Sequence, residues 1–150
     1  MSDGQHIPAL LKLASDPNHL VAAQNVAAQR LLAYDGEVYP HDGCAITLSV
    51  LLQDAQIDVK DTFQALAFGK MLESKRNWQR IPLGQQQPGD IGSTCGTTPH
   101  HGFDHVYFVL KVNNSDEMII ADNQAQQPHF RSVSGQGGKT PTTFFLRAPQ

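Results

Sequence analysis

The sequence lacks an apolar run approaching the roughly 18 residues that a membrane-spanning helix requires. It also lacks a basic cluster. Lys and Arg total 11 against 14 Asp and Glu, for a net charge of -3, which removes the electrostatic footprint of nucleic-acid or anionic-membrane binding. Only two cysteines are present, Cys44 and Cys95, too few for a disulfide scaffold in a chain of 150 residues. There is no internal repeat, no long low-complexity tract and no secretory-signal pattern: the apolar stretch Ile7–Leu11 is short and runs into Lys12. The expectation is synthesis in the cytoplasm without a signal peptide, with export, a dedicated secretion system or phage lysis as routes elsewhere. What is present, 40% hydrophobic and 17% charged residues, fits one folded domain over residues 1–150.

Periodicity divides the chain into a helical first half and a strand-rich second half. Residues 7–15 read as a short helix. From His19 to Leu32, the apolar positions Leu20, Ala23, Ala27 and Leu31 fall on one helical face, and Gly36 is the predicted stop. A second strong helix is predicted over residues 44–55, with Ala45, Leu48, Leu51, Leu52 and Ala55 on one face, and a third from Thr62 to about Ser74. Short strands are predicted at Trp78–Ile81 and at Ile91. Strand 104–112, "DHVYFVLKV", is the clearest. Asn113-Asn114 reads as a tight turn, Met118–Asp122 as the returning strand, and Thr142–Arg147 as the last strand. Helices first and strands after predict an α+β fold with an antiparallel sheet.

The stretch "HDGCAITLS", residues 41–49, puts Cys44 at the head of a helix. Unpaired amides there favour a thiolate, the reactive form of cysteine. A histidine within reach would complete the activation. In the strand, Val106, Phe108, Leu110 and Val112 form one face and His105, Tyr107, Val109 and Lys111 the other. If Asn113-Asn114 is a two-residue turn, Val112 faces Ser115 and His105 lies directly across from Asp122, which could fix the imidazole as the orienting acid of a triad. A two-residue slip leaves Asp122 diagonal to His105. A one-residue slip turns Asp122 away and brings up Asn123.

This order, in "DGCAITLSVLL", "QPGDIG" and "GFDHVYFVLKV-NNSDE-MIIADNQ", resembles the papain-like bacterial cysteine hydrolases of the NlpC/P60 and CHAP type over about residues 39–124. The resemblance implies a papain-like core of about residues 39–147, with the nucleophile at a helix N-terminus. Cys44 would be the nucleophile, His105 the general base and Asp122 the orienting group. It also implies hydrolysis of amides, in many relatives those of cell-wall peptidoglycan, with neither metal nor other cofactor. The substrate would be peptidoglycan or a peptide, and a cognate inhibitor or immunity protein is a conceivable partner; nucleic acid and membrane are not expected. The chain departs from the family pattern in its Asp42-Gly43-Cys44-Ala45, so the oxyanion side chain stays open. Asn123, Asp42 and Tyr39 are candidates for a third or oxyanion role, with His41 nearby. His100, His101 and Trp78 are expected to line the substrate groove. The region 1–35 is expected either to cover the back of the sheet or to shape that groove.

Rival readings come from the same residues. Cys95, His100, His101 and His105 form a Cys-x4-His-His-x3-His cluster that would suit a zinc-dependent hydrolase. A catalytically silent module binding peptides or cell-wall fragments is the non-enzymatic alternative. Ser134–Thr140 only hints at a phosphate loop: Val133 stands where that motif requires glycine, and the stretch reads as a mobile hairpin loop. A single cysteine at a helix start is, moreover, commonly just a small buried residue.

Overall fold

The computed structural model describes residues 1–150. Four helices come first: α1 (Asp3–Ser15), α2 (Pro17–Asp35), α3 (Cys44–Asp54) and α4 (Ala65–Arg76). Six strands follow: β1 (Gln79–Ile81), β2 (Ile91–Ser93), β3 (Val106–Val112), β4 (Glu117–Ala121), β5 (His129–Ser132) and β6 (Phe144–Arg147). They form one antiparallel sheet in the order β1-β6-β2-β3-β4-β5. The α+β class expected from the sequence is what is found. No helix is long and apolar enough to cross a membrane.

Helix boundaries follow local chemistry. Asp16 caps α2, its carboxylate accepting from the Asn18 amide, with Pro17 in the first turn and Gly36 closing the helix in the left-handed region at φ 80°. The four predicted face residues Leu20, Ala23, Ala27 and Leu31 are all buried. Helix α1 begins at Asp3, earlier than expected, where the Gln5 side chain accepts the Ser2 amide at 2.9 Å, one half of a capping box. Helix α4 begins at Ala65 rather than Thr62 and ends at Asn77, also left-handed. Helix α3 departs further from its expectation: all nine residues from Cys44 to Leu52 are buried, so it is a central helix and not one with a single apolar face.

Most of the core lies between the helices and one face of the sheet, where Val106, Phe108, Ile91 and Leu146 meet α1–α4. A smaller cluster of Tyr107, Val109, Met118, Ile120, Val133 and Phe145 fills the opposite face. Val112 packs against this second cluster, not with Val106, Phe108 and Leu110 as simple alternation predicts. The cause is a bulge between Val109 and Lys111, which breaks the two-residue period.

The turn also differs. Val112 pairs with Met118, so five residues lie between the paired positions instead of two. The Asn114 side chain organises the connection by accepting from the amides of Asp116 and Glu117. Beyond the bulge Phe108 pairs with Ala121, and continuing that register sets Asp122 across from Tyr107. Asp122 is therefore diagonal to His105. Strand β5 has no counterpart among the predicted strands.

Candidate active site

Cys44 is the first residue of α3, and the loop before it is fixed by packing. The Tyr39 ring lies beneath Gly43, where a Cβ would meet ring carbons at 2.8 Å, so glycine is required there by contact. Tyr39 is anchored in turn, its hydroxyl 2.9 Å from Thr47 Oγ1, while Thr47 Oγ1 donates to the Gly43 carbonyl at 2.7 Å. The Thr47 amide is the first of the helix to find a partner, Gly43 O. The Cys44 N–H is thus one of the free first-turn donors.

His105 stands immediately before β3. The Thr94 hydroxyl accepts its amide at 2.8 Å, and the Thr94 amide donates to its carbonyl at 3.0 Å, which fixes the backbone. Its Nε2 lies 2.8 Å from Asp122 Oδ2. That leaves Nδ1 uncommitted, in the cleft that Cys44 also lines. Burial opposes charge on this ring, but Asp122 and Cys44 outweigh it and push the His105 pKa up to about 9.

Asp122 is fully buried and holds more than His105. Its Oδ1 is 2.8 Å from His129 Nε2 and accepts the Gln124 amide at 2.8 Å. Burial would raise its pKa, yet the two imidazoles overcome that and hold the carboxyl below the ordinary carboxylate range. The backbone here is pinned from α2: Gln24 Nε2 donates to the carbonyls of Asp122 and Ala125 at 2.9 and 2.7 Å. The N-terminal helices are therefore part of the site. Tyr34 and Asp35, at the end of α2, also line its cleft.

That cleft has a volume of about 790 Å³ and contains Cys44, His105 and His101 together with Asn123, Phe103 and Lys139. Lys139 belongs to the 134–140 stretch, which reaches the cleft as a loop. Several predicted site residues sit elsewhere. Trp78 is a core residue whose indole donates to Asp3 at 2.9 Å, so it does not wall the groove. His100 is outside the lining, against Phe103 with ring centroids 4.9 Å apart. Tyr39 supports the Cys44 loop from below. Asn123 donates to the Pro40 carbonyl at 2.7 Å, clamping the same loop, and it is Asp122 that contacts the His105 ring. Asp42, as a carboxylate, has no proton to offer an oxyanion.

The Cys95, His100, His101 and His105 cluster is not assembled. Cys95 is buried and its thiol is pushed up to about 11 by that burial, while His105 is engaged with Asp122. The metal-ligand group that does converge is His41, Asp42 and His101. Both cysteines are free.

His129 is the neighbour of Asp122 that the sequence does not announce. It enters through β5, where it pairs with Ile120. The visible signal was limited to Pro128 before His129-Phe130-Arg131-Ser132, a short edge strand with a single apolar residue. No protein-family model, no curated protein and no solved structure matches this chain.

Proposed function

We propose that the protein is a thiol-dependent amide hydrolase of papain-like type, with Cys44 as nucleophile, His105 as general base and acid, and Asp122 as the orienting carboxylate. The observation that carries this reading is the buried His105 ring, held at Nε2 by Asp122 while its remaining nitrogen is available to a cysteine at a helix N-terminus. That is the geometry a thiolate–imidazolium pair needs. In the reaction the Cys44 sulfur attacks the amide carbon, and the Cys44 amide stabilises the oxyanion. His105 gives its proton to the leaving amine. Water, deprotonated by His105, then releases the acyl group from sulfur. Asp122 fixes the tautomer throughout.

For substrate, the open cleft and the pattern-level resemblance favour an extended peptide, and the peptide stems of bacterial cell wall are the first to test. Wild type is expected to release new amino groups from purified peptidoglycan, and Cys44→Ala to release none. Equal release by the two would remove the assignment to this site. EDTA is expected to leave the release undiminished, because no step passes through a metal. Loss of activity with EDTA would favour a zinc-dependent hydrolase instead. Binding of wall fragments without turnover would favour a silent binding module.

A further inference from the structure

Two loops far apart in sequence meet at the mouth of the cleft, and each carries imidazole. His41 and Asp42 lie three and two residues before Cys44, and His101 lies four residues before His105. The Asp42 carboxylate stands between the rings, with Oδ2 3.6 Å from His41 Nε2 and 3.7 Å from His101 Nδ1. These separations are too long for hydrogen bonds. The three side chains make no hydrogen bond to any other group, so their lone pairs are uncommitted. Yet their ligand atoms all lie within 4.8 Å of one another.

Donors around one transition-metal ion at bonds of about 2.0–2.2 Å sit about 3–3.5 Å apart. The observed spacing needs only small side-chain rotations to reach that. The rings are 61% and 75% exposed and free to make them. Asp42 adopts the left-handed region at φ 54°, uncommon for a residue with a Cβ, and this conformation accompanies its carboxylate's placement between the rings. Glu37 Oε2, 4.0 Å from His41 Nε2, is close enough to supply a fourth ligand.

We propose that His41, Asp42 and His101 form a binding site for a divalent first-row transition metal, with Zn²⁺ as the natural candidate, at the mouth of the Cys44 cleft. The donor set decides the class of ion. Two imidazoles and one carboxylate suit Zn²⁺, Co²⁺ or Ni²⁺, whereas Ca²⁺ and Mg²⁺ require mostly oxygen. Three protein ligands leave positions open to water or substrate. A bound ion would tie the loop carrying the nucleophile to the loop carrying the base. It would also stand in the approach to Cys44, so that metal binding slows the thiol. The effect on amide hydrolysis rests on the function proposed above; the binding itself does not.

The test uses the full chain carrying Cys44→Ala, so that the thiolate cannot act as a ligand. Co²⁺ is titrated and followed by its visible absorption, and Zn²⁺ by calorimetry. One ion per chain is expected, with dissociation in the micromolar range. Adding His101→Ala or Asp42→Asn should weaken binding by about tenfold or more, since each removes one of three ligands. His100→Ala, a neighbouring exposed imidazole outside the cluster, should leave affinity unchanged. In the chain with Cys44 intact, Zn²⁺ should slow alkylation of Cys44, and His101→Ala should relieve that protection. Unchanged affinity in His101→Ala, or no saturable binding in the Cys44→Ala chain, overturns the site whether or not the protein proves to be a hydrolase.

Discussion

Asp122 Oδ1 and His129 Nε2 are 2.8 Å apart, so the carboxylate that holds His105 is itself held by a second imidazole from β5. Two rings and one backbone amide share a fully buried carboxylate. Each of its oxygens then has a fixed partner, and neither can rotate without breaking a bond. His129 is a positioning residue in this arrangement.

Replacing His129 tests that role. His129→Ala leaves a buried carboxylate short of one donor, at a cost of about 1–3 kcal/mol in stability. Amide hydrolysis should fall by about tenfold or more as His105 loses its fixed orientation. Asp122, shared with one imidazole fewer, acts more strongly on His105, so the alkaline limit of activity should move up. His129→Gln, which keeps a donor, should recover part of the rate. A changed melting temperature with an unmoved pH profile would assign His129 a structural role only.

The His105 shift sets a pH dependence whose sign can be worked out. Its pKa is raised in the folded protein, from an ordinary 6.5 up to about 9, because the partners Asp122 and Cys44 outweigh burial. The stability it contributes is therefore fully present below about pH 6.5 and is lost as pH rises through about 9. Thermal denaturation of wild type should show this fall between about pH 7 and 9.5, and His105→Ala should be flatter there. Activity should decline over the same window as the proton needed by the leaving amine is lost. Asp122 works at the other end: its depressed pKa gives stability that is present in the neutral range and lost in strong acid.

The motif around Cys44 makes a packing prediction. Gly43→Ala places a methyl group 2.8 Å from Tyr39 ring carbons and 3.0 Å from the Pro40 carbonyl. Overlap of this kind costs about 1–3 kcal/mol, and relief requires the 39–43 loop to shift. Both stability and Cys44 reactivity should suffer. The double variant Gly43→Ala with Tyr39→Ala should recover stability, because the obstructing ring is gone. Unchanged melting and reactivity in Gly43→Ala would show that the loop yields freely.

How much of this was legible before the structure depends on the kind of signal. The amphipathic face of α2 could be read directly, because Leu20, Ala23, Ala27 and Leu31 repeat at helical spacing and Gly36 stops the helix. The relation of His105 to Asp122 was legible as proximity but not as register. The bulge near Leu110 and the Asn114-centred connection are set by backbone hydrogen bonds with no strong sequence mark, and together they slide β4 by two residues. Because the slip is even, Asp122 stays on the His105 side of the sheet. His129 was illegible for another reason: β5 is four residues long and its face is polar, so period-2 hydrophobicity is absent. Trp78 was misread as a groove wall because its partner, the buried Asp3, lies 75 residues away. The same Asp3 takes two bonds from Arg76 at 2.8 Å. Asp3 thereby ties the first residue of α1 to Arg76 and to the buried indole.

The two cysteines give the most direct comparison, because both are buried in the same core but only Cys44 lines the cleft that holds His105. Cys44 lines the cleft beside His105; Cys95 is 2% exposed, and burial pushes its thiol up to about 11. Alkylation depends on the thiolate and on access, and both conditions disfavour Cys95. At neutral pH, iodoacetamide followed by mass spectrometry should label Cys44 at least about tenfold faster than Cys95. His105→Ala should remove most of that advantage without changing Cys95, because the imidazole held by Asp122 shares the cleft with the Cys44 sulfur. Asp122→Asn should reduce it less, since the ring stays in place but loses the charge that favours its protonated form. Equal labelling of the two cysteines, or a Cys44 rate indifferent to His105, would reduce "HDGCAITLS" to the buried start of a central helix and leave the cleft without a nucleophile.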